Sequence, residues 1–170
     1  ALAGGLLTAC EPTIPLTIHR DYGLPLINKS RSDTSTLFII SSFSGNTEET
    51  LDAYRMARES GRQIVVITAG GELLASARRD GVSHVVLPET TIQPRLAVGY
   101  FLKALAFITG NQGVIKELET LVSTFDLKGI ESDVRSMAER LIDRIPLIYS
   151  SGRYAPVAYF WKIIINESAK

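Results

Sequence analysis

Residues 63–68 read QIVVIT, four consecutive β-branched aliphatic side chains with a turn glycine on either flank, Gly61 and Gly70. A strand with one wet face alternates apolar and polar residues. An unbroken apolar run this short reads as a strand covered on both faces, the habit of parallel sheets. Such a strand needs helices above and below it, and the neighbouring sequence supplies them. Residues 36–41 form a second strand, and residues 47–58 are helical, with Leu51, Tyr54 and Ala57 at i, i+3 and i+6. Residues 72–79 make a short helix that stops at Gly81, and residues 84–87 make another strand.

Toward the ends the pattern loosens. Residues 2–10 suit a helix weakened by Gly4 and Gly5, and residues 16–19 a short strand. Pro94 suits the first position of a helix running to Ala106. Amphipathic segments follow at 114–125 and 130–145, then a last strand at 147–150 and a last helix at 155–169. Strands alternating with helices give an α/β fold, a three-layer αβα sandwich around a parallel sheet. Residues 1–170 read as a single domain, with the 110–145 region as additional helices.

The balance of 18 Lys and Arg against 18 Asp and Glu provides no general field for nucleic acid or an anionic membrane. No apolar run reaches the length of a membrane span. The single cysteine, Cys10, excludes an internal disulfide and fits a reducing, cytoplasmic setting. Cys10 itself reads as a small buried hydrophobe. The opening ALAGGLL has no Met, and WKIIINESAK stops inside a helical pattern, so the chain is expected to be part of a longer protein.

Chemistry concentrates in SSFSGNTEETL, residues 41–51. In open α/β sheets ligands bind where strands end and helices begin. A helix start offers unpaired N–H groups and partial positive charge, and Ser42, Ser44 and Thr47 add hydroxyl donors beside Gly45. No Lys or Arg lies between Ser41 and Ala53, so phosphate would be held by geometry rather than by a counter-ion. The same residues also suit a plain helix start, with Asn46 and Glu49 as a capping pair. The nucleotide loops G-x-x-x-x-G-K-[ST] and G-x-G-x-x-G are absent here, which excludes the commonest nucleotide loops and leaves a small phosphate ester open beside the plain helix start.

SSFSGNTEETL resembles the S-x-S-G-x-T signature of sugar isomerase (SIS) domains, which bind phosphosugars. ITAGGELLASA, IQPRLAVGY and WKIIINESAK are similar to the Thr-x-Gly-Gly, Q-P-R and W-K-x-x-x-N-E-x-A-K segments of the bifunctional phosphoglucose/phosphomannose isomerase family. ALAGGLL resembles the end of that family's G-G-S-A-I-A-G-D-L-L opening, with Gly5 in place of the usual Asp. The resemblance covers essentially the whole chain. It implies a flavodoxin-like strand order 2-1-3-4-5, a first strand missing ahead of Ala1, and a second SIS domain beyond Lys170. Residues 16–19 and 36–41 would then lack the strand they share, so the chain alone is expected to fold poorly.

The resemblance further implies isomerisation of glucose 6-phosphate or mannose 6-phosphate with fructose 6-phosphate. Ser42, Ser44 and Thr47 would hold the phosphate, and Arg95 of the Q-P-R segment would contact substrate. Glu167 of the N-E-x-A-K segment would be the catalytic base. From the residues alone, Arg95 is either a ligand contact or a solvated arginine, since a cation at a helix start opposes the dipole. Glu167 falls at the edge of the face formed by Val157, Phe160, Trp161 and Ile164. It is either a partly desolvated base or a boundary carboxylate. His19 and His84 lack ligand-spaced partners, so no metal and no cofactor is expected; Lys162 is given no role. The ring-opening histidine would lie beyond Lys170. A homodimer is implied, with no nucleic-acid or membrane partner. The rival readings are a phosphosugar-sensing SIS module and the isomerase half of a glucosamine-6-phosphate synthase.

Overall fold

The computed structural model describes residues 2–26, 36–89 and 91–169 of the chain. Its centre is a three-stranded parallel sheet in the order β1-β2-β3, with β1 at Leu37–Ser42, β2 at Gln63–Thr68 and β3 at Ser83–Val86. Leu37 pairs with Gln63 and Ser42 with Thr68, so β1 and β2 end level; Thr68 in turn pairs with Val86. All three strands therefore present their carboxyl ends on one edge. Their order matches the 3-4-5 part of the arrangement expected from the sequence.

The unbroken run in β2 is explained by its surroundings. Val66 and Ile67 are both fully buried and point to opposite faces. Val66 packs with Phe38 and Ile40 of β1 and with Tyr54, Ala57, Leu73 and Ala77. Those last four belong to α2 (Glu48–Glu59) and α3 (Gly71–Arg79), which cover one face. Ile67 packs with Ala3, Leu7, Leu105 and Val114. These come from α1 (Leu2–Cys10), α4 (Val98–Ile108) and α5 (Gln112–Thr124), on the other face. Burying each large aliphatic side chain contributes about 1.5–3 kcal/mol, and the two clusters together make the αβα sandwich.

Local sequence sets the ends of these helices. The α2 helix closes as the Gly61 N–H donates to the Arg58 carbonyl at 3.0 Å and the Arg62 N–H to the Ala57 carbonyl at 2.9 Å. The same pair of bonds closes α3, from Gly81 to Arg78 and from Val82 to Ala77. Both are Schellman ends, and both deliver the chain straight into the next strand.

Several expectations need correction. Residues 16–19 are not a strand, and neither are residues 147–150. A short apolar run becomes a strand only where a neighbour accepts its backbone bonds, and among the described residues neither segment pairs with a strand. Leu16 and Ile18 lie against Gly4 of α1 instead, while Leu147 and Tyr149 are exposed. Among the described residues no strand pairs with the outer edge of β1, and that edge lines a groove of about 760 Å³ together with Leu16, His19, Leu24 and Thr47, in the place where the resemblance puts one more strand. Pro94–Leu96 forms a 3-10 turn, and α4 proper starts after it, at Val98. Two further helices, α6 (Leu127–Leu141) and α7 (Ala155–Ser168), have no buried residue. Cys10, expected to be buried, is exposed at the end of α1.

Candidate functional site

β1 ends at Ser42, which is 7% exposed, and the chain turns there over five residues into α2. The Ser42 hydroxyl organises that turn. Its Oγ accepts the Gly45 N–H at 3.1 Å and shares a hydrogen bond of 2.8 Å with Thr47 Oγ1. Ser44 Oγ stands 3.5 Å away and accepts the Asn46 N–H at 3.2 Å. The three hydroxyls predicted to bind phosphate are thus brought into one cluster, with Ser42 buried beneath Ser44 and Thr47, which are exposed.

Thr47 is the N-cap residue of α2, with extended backbone angles, yet its side chain makes no capping bond to the helix. The capping pair expected of Asn46 and Glu49 does not form. Asn46 reaches to the next loop instead, where its Oδ1 accepts the Glu72 N–H of α3 at 3.0 Å. Neither polar side chain at the start of α2 therefore occupies that helix's first N–H groups. These amides carry the partial positive charge of a helix N-terminus, and they open beside the hydroxyl cluster.

The second loop, after β2, is locked to the first. Ala69 N–H donates to the Phe43 carbonyl at 3.1 Å and Leu73 N–H to the Gly45 carbonyl at 2.9 Å. Buried Thr68 Oγ1 donates to the Gly70 carbonyl at 2.9 Å and accepts the Gly70 N–H at 3.2 Å. Gly45 has φ of +71°, and a Cβ there would fall on the Gly70 carbonyl oxygen. Gly71 has φ of +70°, and a Cβ there would fall on the Ser44 carbonyl. Only glycine lets the two backbones approach this closely. Thr68 and Asn46 are the residues that site reasoning from sequence missed. The Thr-x-Gly-Gly spacing directly after an apolar strand was the signal for Thr68; Asn46 carried none, because its partner is distant in sequence.

Charge around the turn is acidic rather than basic. Glu48 and Glu49 occupy the first turn of α2, and Glu48 Oε2 accepts the Tyr22 hydroxyl at 3.1 Å. That hydrogen bond, with the negative charge of Glu48, raises the Tyr22 pKa. Any anion bound here is held by amides and hydroxyls.

Arg95 and Glu167 belong to a second cluster. The 3-10 turn Pro94–Leu96 follows β3, and half-buried Arg95 donates from Nε to Ser168 Oγ at 3.1 Å. Arg95 is thereby brought to the last turn of α7, next in sequence to Glu167. Glu167 is exposed, so of the two readings of its place on α7 the described residues show a solvent-facing carboxylate. No hydrogen bond among the described residues joins this cluster to the hydroxyl turn. The described residues hold no group of three His, Cys, Asp or Glu side chains placed to bind a metal ion.

No family model matches the chain, and no solved structure matches it. Curated proteins do. The bifunctional phosphoglucose/phosphomannose isomerase of Caldicellulosiruptor bescii is 37% identical over 189 residues, covering 100% of this chain and 54% of that protein. The enzyme of the same name from Thermoplasma volcanium is 34% identical over 173 residues, covering 99% of this chain and 53% of its own. The D-glucosamine-6-phosphate 4-epimerase of Sulfolobus acidocaldarius is 30% identical over 175 residues, with 99% and 54% covered. The chain spans about half the length of the curated relatives it matches. Along its whole length the chain is similar to about half of each of these bifunctional phosphoglucose/phosphomannose isomerases, as a piece of that family would be.

Proposed function

We propose that the full-length protein interconverts glucose 6-phosphate or mannose 6-phosphate with fructose 6-phosphate, and that this chain supplies its phosphate anchor. The observation that carries the reading is the uncapped start of α2 beside the hydroxyls of Ser42, Ser44 and Thr47. Hydroxyls and helix N–H groups at the carboxyl edge of a parallel sheet suit a phosphate ester. Binding the ester there spends remote interaction energy on positioning the reacting carbons.

The chemistry then needs one mobile proton. The Glu167 carboxylate takes the proton from C2 of the open-chain aldose. The C–H electron pair becomes the C1=C2 double bond, and the C1 carbonyl pair moves onto its oxygen. The O2 hydroxyl proton passes to O1, and as the O2 electron pair forms the new C2 carbonyl the C1=C2 pair takes the proton back from Glu167 at C1, which yields the ketose. Arg95 steadies the negative oxygen of the enediolate. The bond from Arg95 to Ser168 supports this pairing, since it keeps the guanidinium beside the turn that carries Glu167. No metal or organic cofactor is required, because the carbonyl already acidifies the neighbouring C–H. Ring opening falls to a histidine beyond Lys170, as the resemblance implies. The balanced charge of this chain offers nucleic acid and anionic membranes no general attraction; we place the protein in the cytoplasm on its cysteine usage, and as a homodimer on the family resemblance alone.

An isomerase assay on the full-length protein, coupled to an NADP-linked dehydrogenase, tests the reading. Turnover is expected with the unsubstituted protein, and Glu167→Gln should lower kcat by about 10²–10⁴-fold while leaving phosphosugar affinity nearly intact. Binding without turnover in the unsubstituted protein would favour a sensing module. A second reading follows from the D-glucosamine-6-phosphate 4-epimerase relative: the same anchor would serve a 2-amino sugar phosphate. Product analysis with amino and neutral hexose phosphates separates the two.

A further inference from the structure

We propose that Asn46 is a positioning residue for phosphosugar binding, one that keeps the start of α2 open by capping α3 instead; this rests on the phosphate-anchor reading above. Asn is among the strongest helix N-capping residues, and one placed just ahead of a helix ordinarily satisfies that helix's own N–H groups. Here the Asn46 Oδ1 accepts from Glu72 N–H of α3 at 3.0 Å, a residue 26 positions away. The α3 helix needs this help, because its own N-cap is Gly70, which has no side chain to offer. A second capping side chain is diverted in the same way. Thr47 Oγ1 bonds Ser42 Oγ at 2.8 Å and makes no bond to α2. Two residues suited to closing the α2 N-terminus are thus both turned aside.

The diversion is fixed on both sides of Asn46. Its backbone N–H is held by Ser44 Oγ at 3.2 Å, which sets the direction of the peptide. Its side chain meets the loop of Gly71, where an added Cβ would lie 2.7 Å from Oδ1. The acceptor identity of Oδ1 also orients the amide, leaving both Nδ2 hydrogens as donors and no negative charge at the mouth of the turn. Aspartate would accept the Glu72 N–H equally well, but it would place a carboxylate where an anion is to sit. The use of Asn therefore separates two demands: an acceptor for α3 and neutrality for the ligand.

The test uses the full-length protein with Asn46→Ala and Asn46→Asp, titrated with fructose 6-phosphate and with inorganic phosphate, and melted in parallel. Asn46 is exposed, so neither change introduces a buried defect. Asn46→Ala should weaken both ligands by about tenfold, since a mobile turn no longer presents its donors together. The loss should appear in KM more than in kcat. Asn46→Asp should keep the melting temperature of the unsubstituted protein yet bind at least about tenfold more weakly, a loss that shrinks as salt is raised. Normal affinity in Asn46→Ala overturns the inference, and so does Asn46→Asp restoring affinity along with stability, because a simple cap would then explain everything. If the unsubstituted protein binds neither ligand, the phosphate-anchor reading falls, and this inference falls with it. If it binds and the variants match it, only this inference falls.

Discussion

Replacing Ser42 by alanine separates a turn built around one buried hydroxyl from a loop that merely happens to be rich in serine. Ser42 is 7% exposed, and its Oγ accepts the buried Gly45 N–H at 3.1 Å while bonding Thr47 Oγ1 at 2.8 Å. Alanine removes both bonds and strands the Gly45 N–H with no route to water. An orphaned buried donor costs about 1–3 kcal/mol, and the lost hydroxyl pair adds about 0.5–1.5 kcal/mol. Allowing for partial relaxation of the turn, a loss of about 2–3 kcal/mol is expected, or roughly 4–12 °C in melting temperature for a domain of this size. Ser44 is the internal control. It is exposed, and water replaces its oxygen as acceptor for Asn46 N–H, so Ser44→Ala should cost less than about 1 kcal/mol. Melting of the two variants in the full-length protein, each with and without fructose 6-phosphate, reads both stability and binding. Equal stability of Ser42→Ala and Ser44→Ala would refute the hub.

Two further substitutions follow from the same geometry. Gly45→Ala puts a Cβ onto the Gly70 carbonyl at a residue with φ of +71°, so stability should fall by more than the roughly 1–2 kcal/mol of a left-handed residue alone, with phosphosugar binding lost, as melting and calorimetry would report. For Tyr54, burial, aided by its 2.9 Å hydrogen bond to Asp80, lifts the phenol pKa to about 12. The neutral phenol is the form the fold favours, so its stabilisation is complete below pH 10 and is lost as pH rises through about 12. In a spectrophotometric titration, the difference between the native protein and Tyr54→Phe should appear near pH 12; a step near pH 10 would contradict the burial.

What the sequence revealed depended on how local the cause was. The QIVVIT run announced its two-sided burial because every neighbour it needs is present, and Val66 and Ile67 fill opposite cores as expected. Residues 16–19 carry a similar apolar signal and form no strand, because strand formation depends on a partner that no local pattern encodes. Leu147 and Ile148 fail for the same reason. The hydroxyl turn was legible from a strand end followed by Ser, Ser, Gly and Thr. The role of Asn46 was not, since the local capping rule and the tertiary contact compete for the same oxygen, and the tertiary contact wins. Arg95 and Glu167 stand 72 positions apart in sequence, and nothing in composition or periodicity joins them. The Arg95–Ser168 bond, spanning 73 positions, brings their segments together.

The most direct measurement is a crystal structure of the full-length protein soaked in fructose 6-phosphate. Phosphate oxygens are expected at hydrogen-bonding distance, about 2.7–3.1 Å, from Ser44 and Thr47 hydroxyls and from the first amides of α2, with no lysine or arginine of this chain's 41–53 segment involved. Clear density for the sugar phosphate at any other place, with the hydroxyl turn occupied only by solvent, would contradict the anchor.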